Sequence, residues 1–308
     1  MVQVGWIGLG NMGAAMVPNL AKKYPLDTPL LIFNRNNNKS HDLAATLAAT
    51  NTSVAVASSI GDLVQRSHII FTCLANDGAI KDTIDAAVAS GNVAGKLFVD
   101  SSTVAPGCTD GLSELLVSKG AKFVAAPVFG VPAVAAAGQL TYVLAASDEA
   151  WIDEVVPFTT GVMGKTNIQL RGKSPGTASL MKLSGNHFVL SMVLTLSESM
   201  VLASKSGLGE EAIVQFVESV FGGPYPGYAK RMLSGDYANP VPKFSVDNAL
   251  KDARHIEDVA EKNGMKLATM QEAIRLLNIV KETVGPIGDM PGMYGALRTE
   301  LGLPYDKE

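Results

Sequence analysis

The chain is expected to fold as an α/β protein. A mostly parallel, doubly wound sheet occupies the first half, an all-α domain the second, and one long helix joins them. Two observations carry this expectation. Through residue 173, short apolar runs alternate with helical patterns, whereas from residue 174 onward helical periods dominate. Strand–helix alternation predicts parallel strands linked by crossover helices, and near-continuous Val/Ile/Leu runs suit strands covered on both faces. Two domains follow, 1–173 and 174–308, in keeping with a length of 308 residues.

In chain order, "VQVGWIG" reads as a strand followed by a helix at Asn11–Lys23. "LLIFN" and "SVAVA" are the next strands, with a helix at Ser59–Arg66. "HIIFTCL" precedes a helix at Asp77–Ala89, and "KLFVDSS" a helix at Ala105–Lys119. "AKFVAAPV" and "TYVLAAS" complete the strands, the latter followed by a helix at Asp148–Phe158. Ligands then belong at the carboxyl ends of the strands. The second half opens with a helix at Gly176–Lys205 that is apolar almost all round. Such a helix must be buried on several sides, against both domains or against a second subunit.

A hydrophobic fraction of 47% and a mean hydropathy of +0.21 exclude a disordered chain. Net charge −4 and pI 5.6 argue against nucleic acid or an anionic membrane surface as partner. Cys73 and Cys108 lack CxxC spacing, and His41, His68, His187 and His255 form no cluster, so neither zinc nor another metal is expected. A buried strand at residues 2–8 leaves no room for a leader, and cytoplasmic residence is the default. The charge-free stretch Leu183–Ser197 falls short of the roughly 20 residues of a membrane span.

"WIGLGNMGAAM" places Gly8, Gly10 and Gly13 in GxGxxG spacing after a strand and at the start of a helix, with Leu9, Asn11 and Met12 completing the loop. Here Gly8 makes the tight turn, Gly10 admits a pyrophosphate, and Gly13 allows close strand–helix packing. The first half is therefore expected to be a Rossmann-like dinucleotide-binding domain. The next strand ends in "FNRNNNKS", with Asn34 and Arg35 where an NAD site usually carries Asp or Glu. Arg35 can grip a 2′-phosphate bidentately, which favours NADP over NAD; stacking on the adenine or facing solvent are its other readings. Cys73 and Leu74 follow the fourth strand and are expected to meet the cofactor through backbone.

Ser101, Ser102 and Thr103 follow the fifth strand at its carboxyl end, as an anion-binding loop or as a helix cap ahead of Pro106. Lys182 interrupts an apolar helix, and Asn186, four residues on, shares its face. An apolar setting favours a neutral amine, as acid–base work near neutral pH requires, and the bland reading is a snorkelling lysine.

Together "GWIGLGNMG", "FNRN", "DSSTVAP", "APVFGVPA", "GTASLMKLSGN" and "KDARHIEDVAEKNG" resemble the β-hydroxyacid dehydrogenase family, which includes 3-hydroxyisobutyrate dehydrogenases, glyoxylate reductases and the amino-terminal part of 6-phosphogluconate dehydrogenases. The resemblance implies hydride transfer between NADP(H) and a small 3-hydroxy acid or semialdehyde. It implies Lys182 as general acid/base with Asn186 beside it, and a substrate-carboxylate role for the serine loop, chiefly Ser102. Lys251 would reach toward substrate or cofactor, with Asp252 orienting the helix or pairing with a base. The sequence departs from relatives at Phe129, Gly130 and Val131, where Ser-Gly-Gly is common, so a more apolar substrate pocket is expected. Imine or carbonyl reduction on the same fold is the alternative activity, and a non-catalytic NADP-binding module the alternative of another class. A homodimer or higher homo-oligomer, packed through the carboxyl-terminal helices, is the expected assembly.

Overall fold

In the computed structural model, residues 2–238 and 241–306 are described. Six strands run parallel in the order β3-β2-β1-β4-β5-β6: β1 (Val4–Ile7), β2 (Leu30–Phe33), β3 (Val54–Val56), β4 (Ile69–Thr72), β5 (Leu97–Asp100) and β6 (Lys122–Ala125). The sheet continues with β8 (Leu140–Ala146), which pairs antiparallel with β6 and, further along the same edge, with β7 (Val128–Phe129), and carries β9 (Gly164–Gln169) in parallel on its other edge. The strand order reverses beside β1, where the chain returns from β3 to β4, so the loops after β1 and β4 diverge at the carboxyl ends.

Alternating side chains of these strands enter two cores, because successive Cβ atoms of a strand point to opposite faces. Trp6, Phe71, Leu97 and Val99 pack with α1 (Asn11–Lys23) and α7 (Glu149–Thr159). Ile7, Ile70, Phe98 and Phe123 pack with α3 (Ile60–Arg66), α4 (Asp77–Ala89) and α5 (Pro106–Ser118). The short α6 (Pro132–Ala136) is pinned to α1 by Asn19, whose amide donates to the carbonyls of Ala135 (2.9 Å) and Ala136 (3.0 Å).

Three elements depart from the sequence expectation. The stretch after Asn36, left without an element, forms α2 (Asn37–Ala48); Asn36 caps it, but only Ser40 and Leu47 are buried, too few for an apolar stripe to show. β9 was also missed, because an edge strand with the sequence "GKTNIQ" buries little and carries no aliphatic run. The expected strand "AKFVAAPV" breaks into β6 and β7 at Pro127, which has no N–H to give a ladder.

The long helix is α8 (Gly176–Ser206), 31 residues, one residue longer at its end than expected. The chain separates into two compact units, Met1–Lys182 and Leu183–Glu308, and this division falls inside α8 rather than at 173/174. The reason is local: the first turns of α8 are held on α5, with Ala178 in the second core of the sheet domain. Gly176 N–H donates to Asp110 Oδ1 (2.7 Å), and the hydroxyls of Thr109 and Ser179 meet at 2.6 Å. Length and composition of α8 suffice for a bilayer span once its few charges are admitted, yet half of its most apolar window is buried within the protein, as in the core helix of a globular domain.

The second unit is helical: α9 (Glu210–Val220), α10 (Tyr225–Leu233), α11 (Val246–Lys262), α12 (Ala268–Val284) and α13 (Met293–Glu300) pack on the remainder of α8. Apolar residues at helical spacing fill the core, among them Leu190, Val193, Val214, Met232, Ala249, Leu277 and Tyr294. Buried polar struts cross it. Glu210 accepts from Tyr294 (2.5 Å) and Arg298 (3.3 Å), and the fully buried Asp289 accepts from Arg231 (2.6 Å) and from the backbone of Lys243 (2.8 Å) and Phe244 (3.0 Å).

Candidate active site

The loop from Gly8 to Gly13 connects β1 to α1 at the point of strand-order reversal. Gly8 lies at φ +101°, and a Cβ there would sit 2.3 Å from the Cys73 carbonyl oxygen. A Cβ on Gly13 would sit 2.1 Å from the Gly8 carbonyl oxygen, so both glycines are demanded by the packing of the chain on itself. Gly10 differs: its φ of −71° is open to any residue, and a Cβ would meet nothing within 4 Å. The protein gives no reason of its own for a glycine there.

Neighbouring helices sharpen the contrast. Ser59 caps α3 and Asn76 caps α4 with side-chain oxygens, whereas α1 starts at Gly10 with no side-chain cap. Uncapped N–H groups under open space are what an incoming phosphate needs. The residues therefore fit a dinucleotide: Gly10, Asn11 and Met12 would hold its pyrophosphate, and Leu9, buried beneath, supports the turn.

Asn34 was expected to touch the cofactor, but its amide is committed to the turn: Oδ1 accepts from Leu9 N–H (2.9 Å) and Nδ2 donates to the Asn36 carbonyl (3.0 Å). Arg35 is exposed at the end of β2, and its guanidinium has no partner among the described residues. The Cys73 carbonyl lies against Gly8, while Leu74 N–H donates to Ser102 Oγ (2.9 Å).

After β5, Asp100 is nearly fully buried and organises the serine loop. It accepts from Thr72 Oγ1 (2.7 Å), Ser102 Oγ (2.6 Å) and Ser102 N–H (3.1 Å). The hydroxyl of Ser102, expected to receive substrate, thus gives its proton to Asp100 and its lone pair to Leu74. Ser101 Oγ is the buried hydroxyl of this loop with no hydrogen-bond partner among the described residues, and Thr103 is half-buried beside it. An orphaned buried hydroxyl at the carboxyl end of a strand points to a ligand. Asp100 and Thr72 were missed as organisers; their one signal was a polar residue closing each of two apolar strands.

Lys182 is nine-tenths buried, and its Nζ lies 4.5 Å from the centroid of the Phe129 ring. Phe129 ends β7; Gly130 follows at φ +139°, where a Cβ would lie 2.6 Å from Leu140 Cδ2, and Val131 starts α6 without a side-chain cap. The ties between α5 and α8 hold Lys182 in place from the other direction. Cys108, buried on α5, is no rival nucleophile: burial first, and then the Asp77 carboxylate, push its thiol up to about 11.

In the second unit, Asn186 is buried and donates to Asp252 Oδ2 (2.6 Å), while Lys251 Nζ stands 3.3 Å from Asp252 Oδ1. One carboxylate on α11 thus anchors an amide from α8 and an ammonium from its own helix. His187 Nε2 lies 3.3 Å from Thr269 Oγ1 on α12. No group of His, Cys, Asp and Glu among the described residues is arranged to hold a metal.

Two family models cover most of the chain. The NAD binding domain of 6-phosphogluconate dehydrogenase matches residues 3–167, and the NAD-binding domain of NADP-dependent 3-hydroxyisobutyrate dehydrogenase matches residues 176–297. The chain belongs to the β-hydroxyacid dehydrogenase family. Within this family it is 32% identical to the NADH-dependent oxidoreductase ucdB of Aspergillus ustus, over 96% of this chain and 98% of that one. A 3-hydroxyisobutyrate dehydrogenase of Mycobacterium tuberculosis, solved with L-serine, has the same fold at a TM-score of 0.78 and 23% identity, covering 97% and 99% of the two chains. A reductive aminase from Aspergillus terreus, in complex with NADPH4, cyclohexanone and allyl amine, shares the fold at a TM-score of 0.58 and 19% identity, with coverage of 97% and 100%. Membership makes the protein an oxidoreductase with a nicotinamide dinucleotide as cofactor.

Proposed function

We propose that this β-hydroxyacid dehydrogenase homologue interconverts a small carbonyl compound and its alcohol, of the 3-hydroxy acid or semialdehyde type, with Lys182 as the general acid/base. The observation that carries the reading is the nearly buried Lys182 ammonium, an expensive group to bury unless chemistry needs it there. A bound nicotinamide dinucleotide supplies the hydride. Lys182 gives a proton to the carbonyl oxygen in reduction and takes it back in oxidation. Asn186, one turn further along α8 and held by Asp252, is the second residue proposed to act on substrate. Ser101, with its uncommitted hydroxyl, contacts the substrate, while Ser102 and Asp100 hold the loop in shape.

NADP is the proposed preference, supported by Arg35: an exposed guanidinium with no acidic residue in its own loop suits a 2′-phosphate. The name of the fungal relative points to NADH, so both cofactors belong in the assay. A homo-oligomer and cytoplasmic residence complete the proposal; the exposed Phe188 and Leu202 of α8 support the first, and sedimentation velocity tests it.

The deciding experiment is oxidation of NADPH and NADH, by wild type and Lys182→Ala, against semialdehydes, glyoxylate, β-keto acids and cyclic imines. Turnover of a carbonyl substrate that drops at least about a hundredfold in Lys182→Ala is expected. An unchanged rate in the variant, or turnover of imines alone, refutes the reading. Arg35→Ala is expected to raise the NADPH KM about tenfold and leave NADH untouched.

A further inference from the structure

The ring beside the Lys182 ammonium is built into the fold. Phe129 is fixed by the antiparallel pairing of β7 with β8, in register with Thr141, and its half-buried ring rests on the core that includes Ala178, one turn before Lys182 on α8. Gly130 is confined by Leu140 and Val134, and α6 behind it is pinned by Asn19, so the loop has little freedom to withdraw the ring. The ammonium lies 4.5 Å from the ring centroid. An aromatic face is the negative end of the ring quadrupole; it attracts a cation and repels an anion. The flanking segment "PVFGVPAVA", residues 127–135, contains no charged, hydroxyl or amide side chain that could receive a carboxylate.

We infer that Phe129 is a positioning and specificity-determining residue: its ring seats the Lys182 ammonium and leaves this wall of the site without a receiver for a carboxylate, which narrows the substrates proposed above to uncharged carbonyl compounds with an apolar group against the ring. The substrate part of this inference rests on Lys182 being the proton donor; the seat itself does not. A ring that holds the charged amine raises its titration midpoint and fixes its direction. Removal of the ring therefore lowers the midpoint and loosens the amine, while a larger aromatic keeps both.

Two measurements test the inference on the full chain. In the first, the lysines are reductively methylated with 13C-formaldehyde, the Lys182 resonance is assigned by its loss in Lys182→Arg, and its pH titration is followed by NMR in wild type, Phe129→Leu and Phe129→Trp. The expected midpoint in Phe129→Leu lies about half a pH unit or more below wild type, and in Phe129→Trp at or above it. A Phe129→Leu midpoint coincident with that of wild type, in folded protein, overturns the seat. If Phe129→Leu does not fold, Phe129→Trp alone decides, because a midpoint well below wild type contradicts an aromatic seat.

In the second, kcat/KM is compared for succinic semialdehyde, which carries a carboxylate, and its neutral methyl ester. Wild type is expected to prefer the ester, and Phe129→Ser to move the acid-to-ester ratio upward about tenfold. A wild-type preference for the acid, or an unmoved ratio, overturns the specificity. If wild type reduces neither, the specificity falls together with the proposed reaction, and the NMR titration still decides the seat.

Discussion

The glycines of the β1–α1 loop separate what the fold requires from what the cofactor requires. Gly13→Ala forces a methyl to within 2.1 Å of the Gly8 carbonyl oxygen, a backbone atom that cannot rotate away. Strand and helix must move apart, at a cost of about 1–3 kcal/mol, or a Tm loss of roughly 2–10 °C in a chain of this size. Gly10→Ala meets nothing within 4 Å and sits at φ −71°, so its stability is expected within about 0.5 kcal/mol of wild type. The same methyl stands in the space through which a pyrophosphate would approach the uncapped start of α1. Nicotinamide dinucleotide affinity should therefore fall at least about tenfold, equivalent to about 1.4 kcal/mol. The assay pairs thermal unfolding of the apo protein with fluorescence titration of NADPH and NADH for both variants. Cofactor binding by Gly10→Ala at wild-type strength, or a stability loss matching that of Gly13→Ala, would refute the reasoning.

Two further outcomes are expected. Ser102→Ala removes a hydroxyl that bridges Asp100 and Leu74 and should destabilise the fold by about 1–3 kcal/mol, whereas Ser101→Ala should leave Tm nearly unchanged and lower kcat/KM about tenfold or more; paired melting and kinetic data with the two roles exchanged would contradict the structure. Hydrogen bonds from Lys243 and then Arg231 hold the Asp236 carboxyl below its ordinary value of 3.8. A depressed carboxylate contributes stability above its unfolded value and loses it as pH falls through the native one. Asp236→Asn should consequently unfold about 1 kcal/mol more easily at pH 7, with the gap closing as pH falls below the ordinary carboxyl value and through the depressed native one; urea titrations across that range check this, and a gap that stays constant rules it out.

Legibility in the sequence followed the physics of each element. Helices α1, α4 and α5 were readable almost to the residue because caps and glycine or proline punctuation frame their apolar stripes. Helix α2 and the edge strand β9 were not, since elements that bury little leave little periodicity. Within the site, the glycine loop, the serine loop, Lys182, Asn186 and Lys251 were all visible as residues. Which serine is free to meet a ligand was not visible, nor that Asn34 is spent on its own turn, because a hydroxyl or amide is identical in sequence whether its hydrogen bonds are filled or open.

The sequence by itself determined the parallel α/β half, the long apolar helix, the nucleotide loop and the lysine at helical spacing from its asparagine. These follow from local geometry: strand and helix periods, the steric needs of a tight turn, and residues one turn apart sharing a face. Only the tertiary structure decided that Asp100 takes the proton of Ser102, that Asp252 joins Asn186 to Lys251, and that the Phe129 ring lies beside the Lys182 ammonium. Each of the last two pairings joins residues far apart in the chain, and all three depend on distances of a few ångströms that packing of the elements sets and no local pattern encodes.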